Sequence, residues 1–511
     1  AHFFSRDWRE ISNPRGGRGG WLLQGPQSYR PRARRPYTCL PSHTGAPPSS
    51  AVFPPNAEIG AVSRAPQLVL KELRHRHRVG IEARVVAMSA LREARVVLQP
   101  SEEWRFEVDY GSQGIVSLLD GHAEIFGTEL IAERRYTFSG VKLAVFTWHG
   151  CTLEVEGTFS HQYTAHETPM IGVLQLHEEL EQQRNTALAT LSPGPRVMVV
   201  GSDDCGKTTM CRILANYAAR RGHGVTYVDL DVGQQLFGPP GTISATAWHQ
   251  PLDLELRGEF AAPLAYWLGH HSIVDHIALF RHAIGSMRTV LDKLMRAHLG
   301  ARMAGMILNS CGWVDGDGYD ALVFAAETLG VDTFVVIADD RLYSRLSTYF
   351  AHRDVRVLRA PKTGGVVVQS KAFKHECRME SLRSYFYGIG GQLCPHSTVL
   401  SFSSTTLMAI ESAPPPPADT LPIGAIAPRH AVRAVKLGVK SWPGMLKAIL
   451  AVSFAQSGDD ENSVLAANIA GIVFVTNVDV ENGRVTVLAP SPVAFPGGVL
   501  LAGSIKWLEA R

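Results

Sequence analysis

The sequence predicts an α/β protein of three parts: a central, doubly wound parallel sheet flanked by an N-terminal β domain and a C-terminal domain that is mainly β. Strands and helices alternate through residues 193–391, as they do in parallel sheets with helices on both faces. Short runs rich in β-branched and aromatic residues fill both flanks. With 511 residues and 45% hydrophobic side chains, the chain is long enough to bury several cores.

Residues 1–87 are predicted to be disordered. They are dense in Arg, Pro, Gly and Ser, so burial cannot offset the entropy of ordering them. They hold 14 Lys and Arg against 5 Asp and Glu, which leaves 36 against 42 for the rest of the chain. The basic balance therefore gives no reason to infer nucleic-acid binding by the folded part. We interpret the segment as an incorrect gene-prediction extension, with a transit-like leader or a basic RNA-binding tail as alternatives.

Residues 93–167 predict the small N-terminal β domain. Its strand-like runs are separated by Gly, Asp and Ser turns and lie at 94–98, 104–108, 115–119, 123–126, 135–138, 142–148 and 152–157. Residues 168–192 then predict a linking helix with polar residues on one face. A Pro-Gly-Pro sequence leads from this helix into the central domain.

The central domain, residues 193–391, opens with a phosphate-binding loop. Residues 201–208 read GSDDCGKT, which satisfies the G-x-x-x-x-G-K-[ST] pattern of P-loop NTPases between a predicted strand and a predicted helix. The glycines let backbone N–H groups point at an anion, the lysine faces the β- and γ-phosphates, and the threonine hydroxyl suits Mg²⁺. The residues expected to hold the nucleotide here are Gly201, Asp204, Cys205, Gly206, Lys207, Thr208 and Thr209, with Thr208 as the Mg²⁺ ligand.

A second buried-strand run, residues 225–231, ends in the carboxylates Asp229 and Asp231. It completes a strand–loop–helix–strand unit, and a nucleotide is expected at the carboxyl ends of such strands. No N-K-x-D guanine motif occurs in the chain, which disfavours a GTPase.

Residues 392–511 predict the C-terminal domain. Asn482 and Gly483 form a predicted hairpin turn between strands at 471–480 and 484–488, and a flanking helix is expected near 442–454. Four prolines at 414–417 predict a stiff connector.

The cysteines and the hydropathy of the sequence indicate the cellular compartment of the protein. The seven cysteines are scattered and include no C-x-x-C pair, which favours a reducing compartment and no zinc site. No apolar run is long enough to cross a bilayer, and charged residues stand where a signal peptide would be apolar. We therefore expect no membrane contact and a location in the cytosol or nucleus.

Several local sequences carry a family resemblance. They read EWRFEV at 103–108, AEIFGTEL at 123–130, AVFTWHGC at 144–151, CGWV at 311–314 and YFYG at 385–388. From about residue 92 to its end, the chain resembles the polyribonucleotide 5′-hydroxyl kinase subunit of the eukaryotic pre-mRNA 3′-end cleavage factor. Because the likeness spans all three domains, the kinases of ribosomal-RNA processing, which share only the core, are a poorer match.

The resemblance implies roles for individual residues around ATP and Mg²⁺. Glu103 and Lys142 would read the adenine, Asp231 would take the proton from the RNA 5′-hydroxyl, and Trp313 would stack on the terminal RNA base. Alternatives stay open from the residues alone. Glu103 and Lys142 could be surface charges, Trp313 could pack in the core, and Asp231 could bind Mg²⁺ through water.

The chain departs from the family's pattern at two places. Where the family has two catalytic lid arginines, this chain has Gln369 and Lys374. Gln369 carries no charge, and Lys374 carries a point charge but lacks the bidentate fork of an arginine. The loop that contacts RNA phosphate in the family reads GHHSIVDH at 269–276 here. Asp275 would repel a phosphate if it faced inward, and nearby basic residues could compensate.

Two functional hypotheses follow from the resemblance. The first is a nuclear, ATP-dependent RNA 5′-hydroxyl kinase of mRNA 3′-end processing, with tRNA splicing as a second process in which it could act. Its partners would be the RNA 5′ end and the other cleavage-factor subunits, with a tRNA-splicing endonuclease as a further partner if it acts in tRNA splicing. The alternative is an ATP-holding scaffold of the cleavage factor in which phosphoryl transfer is weakened or lost, because the loop is intact while the lid is not.

Overall fold

The computed structural model describes residues 94–255, 263–413, 431–492 and 495–508, all of which lie in one compact unit. The predictions for residues 1–87 and for the prolines at 414–417 lie outside the described residues. Among the helices that are described, none is long and apolar enough to cross a membrane.

The N-terminal part is a sandwich of two antiparallel sheets, with strand orders β1-β8-β3-β6 and β5-β4-β7-β2-β9. Trp104 and Phe106, whose rings stack 4.5 Å apart, dominate the core between them. The strands are β1 Ala94–Leu98, β2 Glu103–Val108, β3 Gly114–Gly121, β4 Glu124–Ile125, β5 Thr128–Glu129, β6 Arg135–Phe138, β7 Val141–Phe146, β8 Cys151–Gly157 and β9 His161–Ala165. The sequence did not predict β5 or β9, which are short or largely exposed and lack an apolar pattern.

The central sheet has seven strands in the order β13-β12-β11-β14-β10-β15-β16. Five neighbouring strands run parallel, as predicted, in the order β11, β14, β10, β15 and β16. Strands β12 and β13 add an antiparallel edge beside β11. These strands are β10 Arg196–Val200, β11 Val225–Asp229, β12 Thr242–Trp248, β13 Leu264–Trp267, β14 Met306–Asn309, β15 Thr333–Ile337 and β16 Arg356–Ala360.

Helices cover both faces of this sheet. Val197 and Val199 of β10 face the core under α1 and α2, while Met198 and Val200 face the core under α3 and α5. The helices are α1 Met170–Thr190, α2 Lys207–Arg220, α3 Ile277–Ala297, α4 Leu299–Ala304, α5 Asp317–Leu329, α6 Asp340–Tyr349 and α7 Lys371–Tyr387.

The C-terminal sheet also has seven strands, in the order β17-β22-β21-β20-β23-β18-β19, and β18 with β23 is its parallel pair. The strands are β17 His396–Ser401, β18 Thr406–Ala413, β19 Ala431–Lys436, β20 Ile449–Gln456, β21 Ile469–Asp479, β22 Arg484–Ala489 and β23 Gly498–Ala502, with the short helix α8 Glu461–Ala466. Gly483 takes φ +61° in the predicted hairpin turn between β21 and β22.

The predicted helix at 442–454 is wrong. A 3₁₀ helix, Val439–Met445, precedes strand β20, which occupies the rest of that stretch. Both faces of β20 are largely buried and its sequence ILAVSFAQ is mostly apolar, so hydrophobic periodicity does not separate this strand from a buried helix.

Candidate active site

The phosphate loop adopts the conformation that its glycines allow. Gly201 and Gly206 have φ of +153° and +100°, and helix α2 begins directly at Lys207. The N terminus of α2 therefore points its unpaired backbone N–H groups into the loop, where they suit an anion. Lys207 is buried, and its Nζ donates to the carbonyl oxygen of Ser202 at 2.7 Å, inside the curve of the loop.

Thr208 is joined to two strand ends by a chain of polar contacts. Asn309, the last residue of β14, donates from Nδ2 to Thr208 Oγ1 at 3.2 Å and to Asp229 Oδ1 at 3.0 Å. Asp229, the last residue of β11, has no exposed surface. Burial, and then the neighbouring Asp231 carboxylate, raise the pKa of Asp229 to about 7. Asp229 and Asn309 were not among the predicted site residues.

Asp231 lies two residues beyond the end of β11 and lines a cavity of about 850 Å³. Its Oδ1 accepts N–H groups from Gly233 at 3.0 Å and Gln234 at 3.3 Å, which fixes the carboxylate. Burial raises the pKa of Asp231 above that of an ordinary carboxyl, and Lys207 opposes the shift. A fixed carboxylate with a raised pKa suits a general base.

A single cavity of about 850 Å³ connects the predicted site residues. Gly201 is not in contact with it, because it forms the turn at the base of the loop. The predicted residues that line the cavity are Glu103, Lys142, Asp204, Cys205, Gly206, Lys207, Thr208, Thr209, Asp231, Trp313, Gln369 and Lys374.

The β domain supplies the end of the cavity that is expected to hold the base. Glu103 is buried and accepts from Arg105 Nε at 2.9 Å and from the Thr168 hydroxyl. Lys142 forms an ion pair with Glu107. Both predicted residues are therefore held by protein partners at the cavity wall and are not free surface charges.

Arg105 is a site residue that sequence reasoning missed. Its side chain is buried beneath Gly364 and Gly365, so that a Cβ added at Gly365 would lie 2.7 Å from Arg105 Nε. Strand β2 reads EWRFEV, in which charged and apolar residues alternate, so Arg105 resembles one of three charges on a polar face and the sequence has no signal that sets it apart.

The lid is helix α7 with the residues before it, and the P-loop carboxylates hold it. Asp204 Oδ2 accepts the backbone N–H of Gln369 at 3.1 Å and pairs with Lys374 Nζ at 3.1 Å, while Asp203 lies 3.5 Å from the same Nζ. The Gln369 side chain accepts from Gln234 Nε2 at 3.2 Å. The carboxylate of Asp204, predicted to hold nucleotide, therefore contacts the lid.

Lys374 stays protonated in this position. Burial alone would lower its pKa, but the contacts with Asp204 and Asp203 outweigh it and raise the pKa above the ordinary value.

The remaining wall is formed by Trp313 and by residues 269–276, which we name the acceptor loop. His271, Ser272, Ile273 and Val274 line the cavity, whereas the exposed Asp275 does not. Asp275 would repel a bound phosphate only if it faced inward, and this condition is not met in the structure. Burial lowers the pKa of His271 to about 4, and Arg378 adds to the shift, so this ring is neutral at pH 7.

Comparisons with known proteins place the chain in a family. Family profiles described as "mRNA cleavage and polyadenylation factor CLP1 P-loop", "N-terminal beta-sandwich domain of polyadenylation factor" and "Pre-mRNA cleavage complex II protein Clp1" match residues 201–388, 97–187 and 393–509. A polyribonucleotide 5′-hydroxyl-kinase Clp1 from Homo sapiens is 40% identical over 417 residues, which cover 81% of this chain and 96% of that protein. The chain belongs to the Clp1 family. The resemblance seen in the sequence is thus confirmed.

Other members of the Clp1 family show the same extent of likeness. A Gallus gallus protein of the same name is 39% identical over 421 residues, 82% of this chain and 97% of that protein. A solved Clp1p–Pcf11p complex contains a chain with TM-score 0.71 and 23% identity, covering 82% of this chain and 99% of that chain. This likeness confirms the fold, and the P-loop of the family implies nucleotide binding.

Proposed function

We propose that this protein transfers the γ-phosphoryl group of ATP to the 5′-hydroxyl end of RNA as a subunit of the mRNA 3′-end processing machinery. The observation that carries the proposal is that Lys207, Thr208 and Asp231 line one cavity together with the base-side Glu103. A nucleotide-binding loop alone would support only binding. A fixed carboxylate across the same cavity supplies a base for the acceptor hydroxyl.

Each of the cavity residues is proposed to have a separate role in the reaction. The α2 N terminus and Lys207 hold the β- and γ-phosphates, and Lys374 offers positive charge from the lid. Asp231 accepts the proton of the 5′-hydroxyl as its oxygen bonds to the γ-phosphorus, and the bond from that phosphorus to the bridging oxygen breaks, releasing ADP. Trp313 presents an indole face to the first base, which suits any base.

The polar residues at the strand ends fit a Mg²⁺ ion. Thr208 would hold it directly, and Asp231 would hold it through water in the alternative role. The carboxamide oxygen of Asn309 is buried and has no hydrogen-bond partner within the described ranges, so this corner can take an ordered, metal-bound water. When bound, Mg²⁺ would neutralise phosphate charge.

The assembly and location are part of the same proposal. The likeness to Clp1p in a solved complex with Pcf11p supports docking on other cleavage-factor subunits, and hence a place in the nucleus. A role with a tRNA-splicing endonuclease is a further proposal that the resemblance alone motivates.

An ATP-holding scaffold is the second candidate, and the lid favours it. Gln369 brings no charge, and the Lys374 ammonium is paired with two carboxylates, so neither position supplies the arginine fork that stabilises a transferring phosphoryl group, although Arg378 of α7 also lines the cavity. The scaffold would keep ATP bound and would not turn it over.

A transfer assay separates the two candidates. Labelled ATP and a 5′-hydroxyl oligoribonucleotide would be incubated with the full chain and with Lys207→Ala, and ATP binding would be measured in parallel. Label on the RNA above the Lys207→Ala background supports the kinase. Retained ATP binding with transfer no higher than that background would leave the scaffold.

A further inference from the structure

The C-terminal domain reaches the acceptor loop through the residues that follow β23. The backbone N–H of Ser504 donates to the carbonyl oxygen of Gly269 at 2.8 Å. The Ser504 hydroxyl also lies 2.8 Å from Nδ1 of His270, so one serine contacts two successive loop residues. Gly269 and His270 immediately precede the residues that line the cavity.

Two glycines bring these backbones into direct contact. A Cβ added at Gly503 would lie 2.3 Å from the carbonyl oxygen of Gly269 and 2.5 Å from its Cα. Gly503 does not have a positive φ, so space rather than conformation requires glycine there. Any side chain at 503 would push the loop away from the C-terminal domain.

The acceptor loop is closed on itself by a histidine pair. The rings of His270 and His276 stack with centroids 3.5 Å apart and planes within 10°. Burial lowers the pKa of His270 to about 4 and also lowers that of His276, so both rings are neutral at pH 7 and do not repel each other, although Asp275 opposes both shifts. The stacked rings of His270 and His276 and the contact with Ser504 thereby restrain the loop residues His271 and Ser272.

We propose that Gly503 and Ser504 are positioning residues that hold the acceptor loop against the cavity and so set the affinity for RNA, without acting on ATP. The inference rests on the proposed function, in which the loop forms the RNA side of the site. The loop backbone touches the Asp231 turn, since the carbonyl oxygen of His271 lies 3.1 Å from a Cβ added at Gly233.

Gly503→Ala tests the proposal, with Gly458→Ala as the matched control. Gly458 is in the same domain, has no positive φ, and a Cβ there would meet nothing within 4 Å. For Gly503→Ala we expect the Kd for a fluorescent 5′-hydroxyl oligoribonucleotide to rise about tenfold, since small displacements at a site are costly. The Kd for ATP is expected to stay within about twofold, because the P-loop is not in contact with residue 503.

Backbone amide hydrogen exchange measures the stability of the acceptor loop directly. Peptides covering residues 269–276 should exchange faster in Gly503→Ala than in Gly458→Ala, while peptides from the P-loop should not. Ser504→Ala should show a smaller version of both effects, and Ser504→Thr, which keeps the hydroxyl, should restore RNA affinity.

Three results would overturn the proposal: equal loop exchange in the two glycine variants, equal RNA affinity, or a parallel loss of ATP affinity that indicates general destabilisation. Absence of RNA binding by the unaltered chain would also overturn it. RNA binding without phosphoryl transfer would count against the kinase alone, which keeps the two failures distinguishable.

Discussion

Restoring the two lid arginines should raise the rate of phosphoryl transfer. Gln369 and Lys374 both line the cavity beside the P-loop, and each is anchored to Asp204. The variant Gln369→Arg/Lys374→Arg would add one positive charge and two guanidinium forks at the mouth of the phosphate site. The backbone contact of residue 369 with Asp204 does not involve its side chain and would persist.

The magnitude follows from the charge that develops during transfer. A unit pair about 4 Å apart is worth roughly 4 kcal/mol at an effective dielectric constant near 20. If about a third of that appears only in the transition state, the charge added by Gln369→Arg contributes about 1.4 kcal/mol, or about tenfold in rate. Because Lys374 is already charged, Lys374→Arg adds only the bidentate fork, so we expect kcat of the double variant to rise at least about tenfold, with little change in the Kd for ATP.

Single-turnover transfer from labelled ATP to a 5′-hydroxyl oligoribonucleotide would measure this rise. Lys371→Arg is the matched control, because Lys371 is exposed on the same helix and does not line the cavity. An unchanged rate in the double variant, with ATP and RNA both bound, would refute the reasoning and move the defect to the acceptor loop.

Three further predictions concern the carboxylates and Trp313. Asp231→Asn should lower kcat at least about a thousandfold with ATP binding retained, and a rate close to that of the unaltered chain would exclude Asp231 as the base. Folding raises the pKa of Asp229 to about 7, so the folded state binds that proton more tightly than the unfolded state. As pH rises from about 4 to 7, the free energy of unfolding of the unaltered chain should therefore fall relative to that of Asp229→Asn. If both free energies change equally with pH in denaturation experiments over this range, the pKa shift is contradicted. Trp313→Ala should weaken RNA binding by about 1–3 kcal/mol, seen as a higher KM for RNA, and leave the KM for ATP unchanged. An equal change in both KM values would indicate that Trp313 packs in the core.

Features that depend on local sequence were predictable. The P-loop residues, β10 and α2 lie within one continuous stretch, and the glycine pattern specifies the backbone that the loop needs. The same stretch places the carboxylates Asp229 and Asp231 at the end of a buried strand, whereas the role of Asp231 as the base was implied by the family resemblance. The antiparallel edge strands β12 and β13 were not, because their residues are buried on both faces and carry no turn signal that fixes their direction.

Contacts between distant segments were not predictable from one sequence. Asn309 meets Asp229 because β14 is adjacent to β11 in the sheet, although 80 residues separate them. Lys374 meets Asp203 and Asp204 only because the lid folds back over the P-loop. The exposed position of Asp275 likewise depends on how the acceptor loop closes, which residue types alone do not specify.

The acceptor requirement tests the central claim most directly. The full chain would be incubated with γ-labelled ATP and either a 5′-hydroxyl oligoribonucleotide or the same oligoribonucleotide already carrying a 5′-phosphate. Label is expected at the 5′ end of the first RNA and none on the second, with Asp231→Asn inactive on both. ATP bound at the site with no label on the 5′-hydroxyl RNA would contradict it.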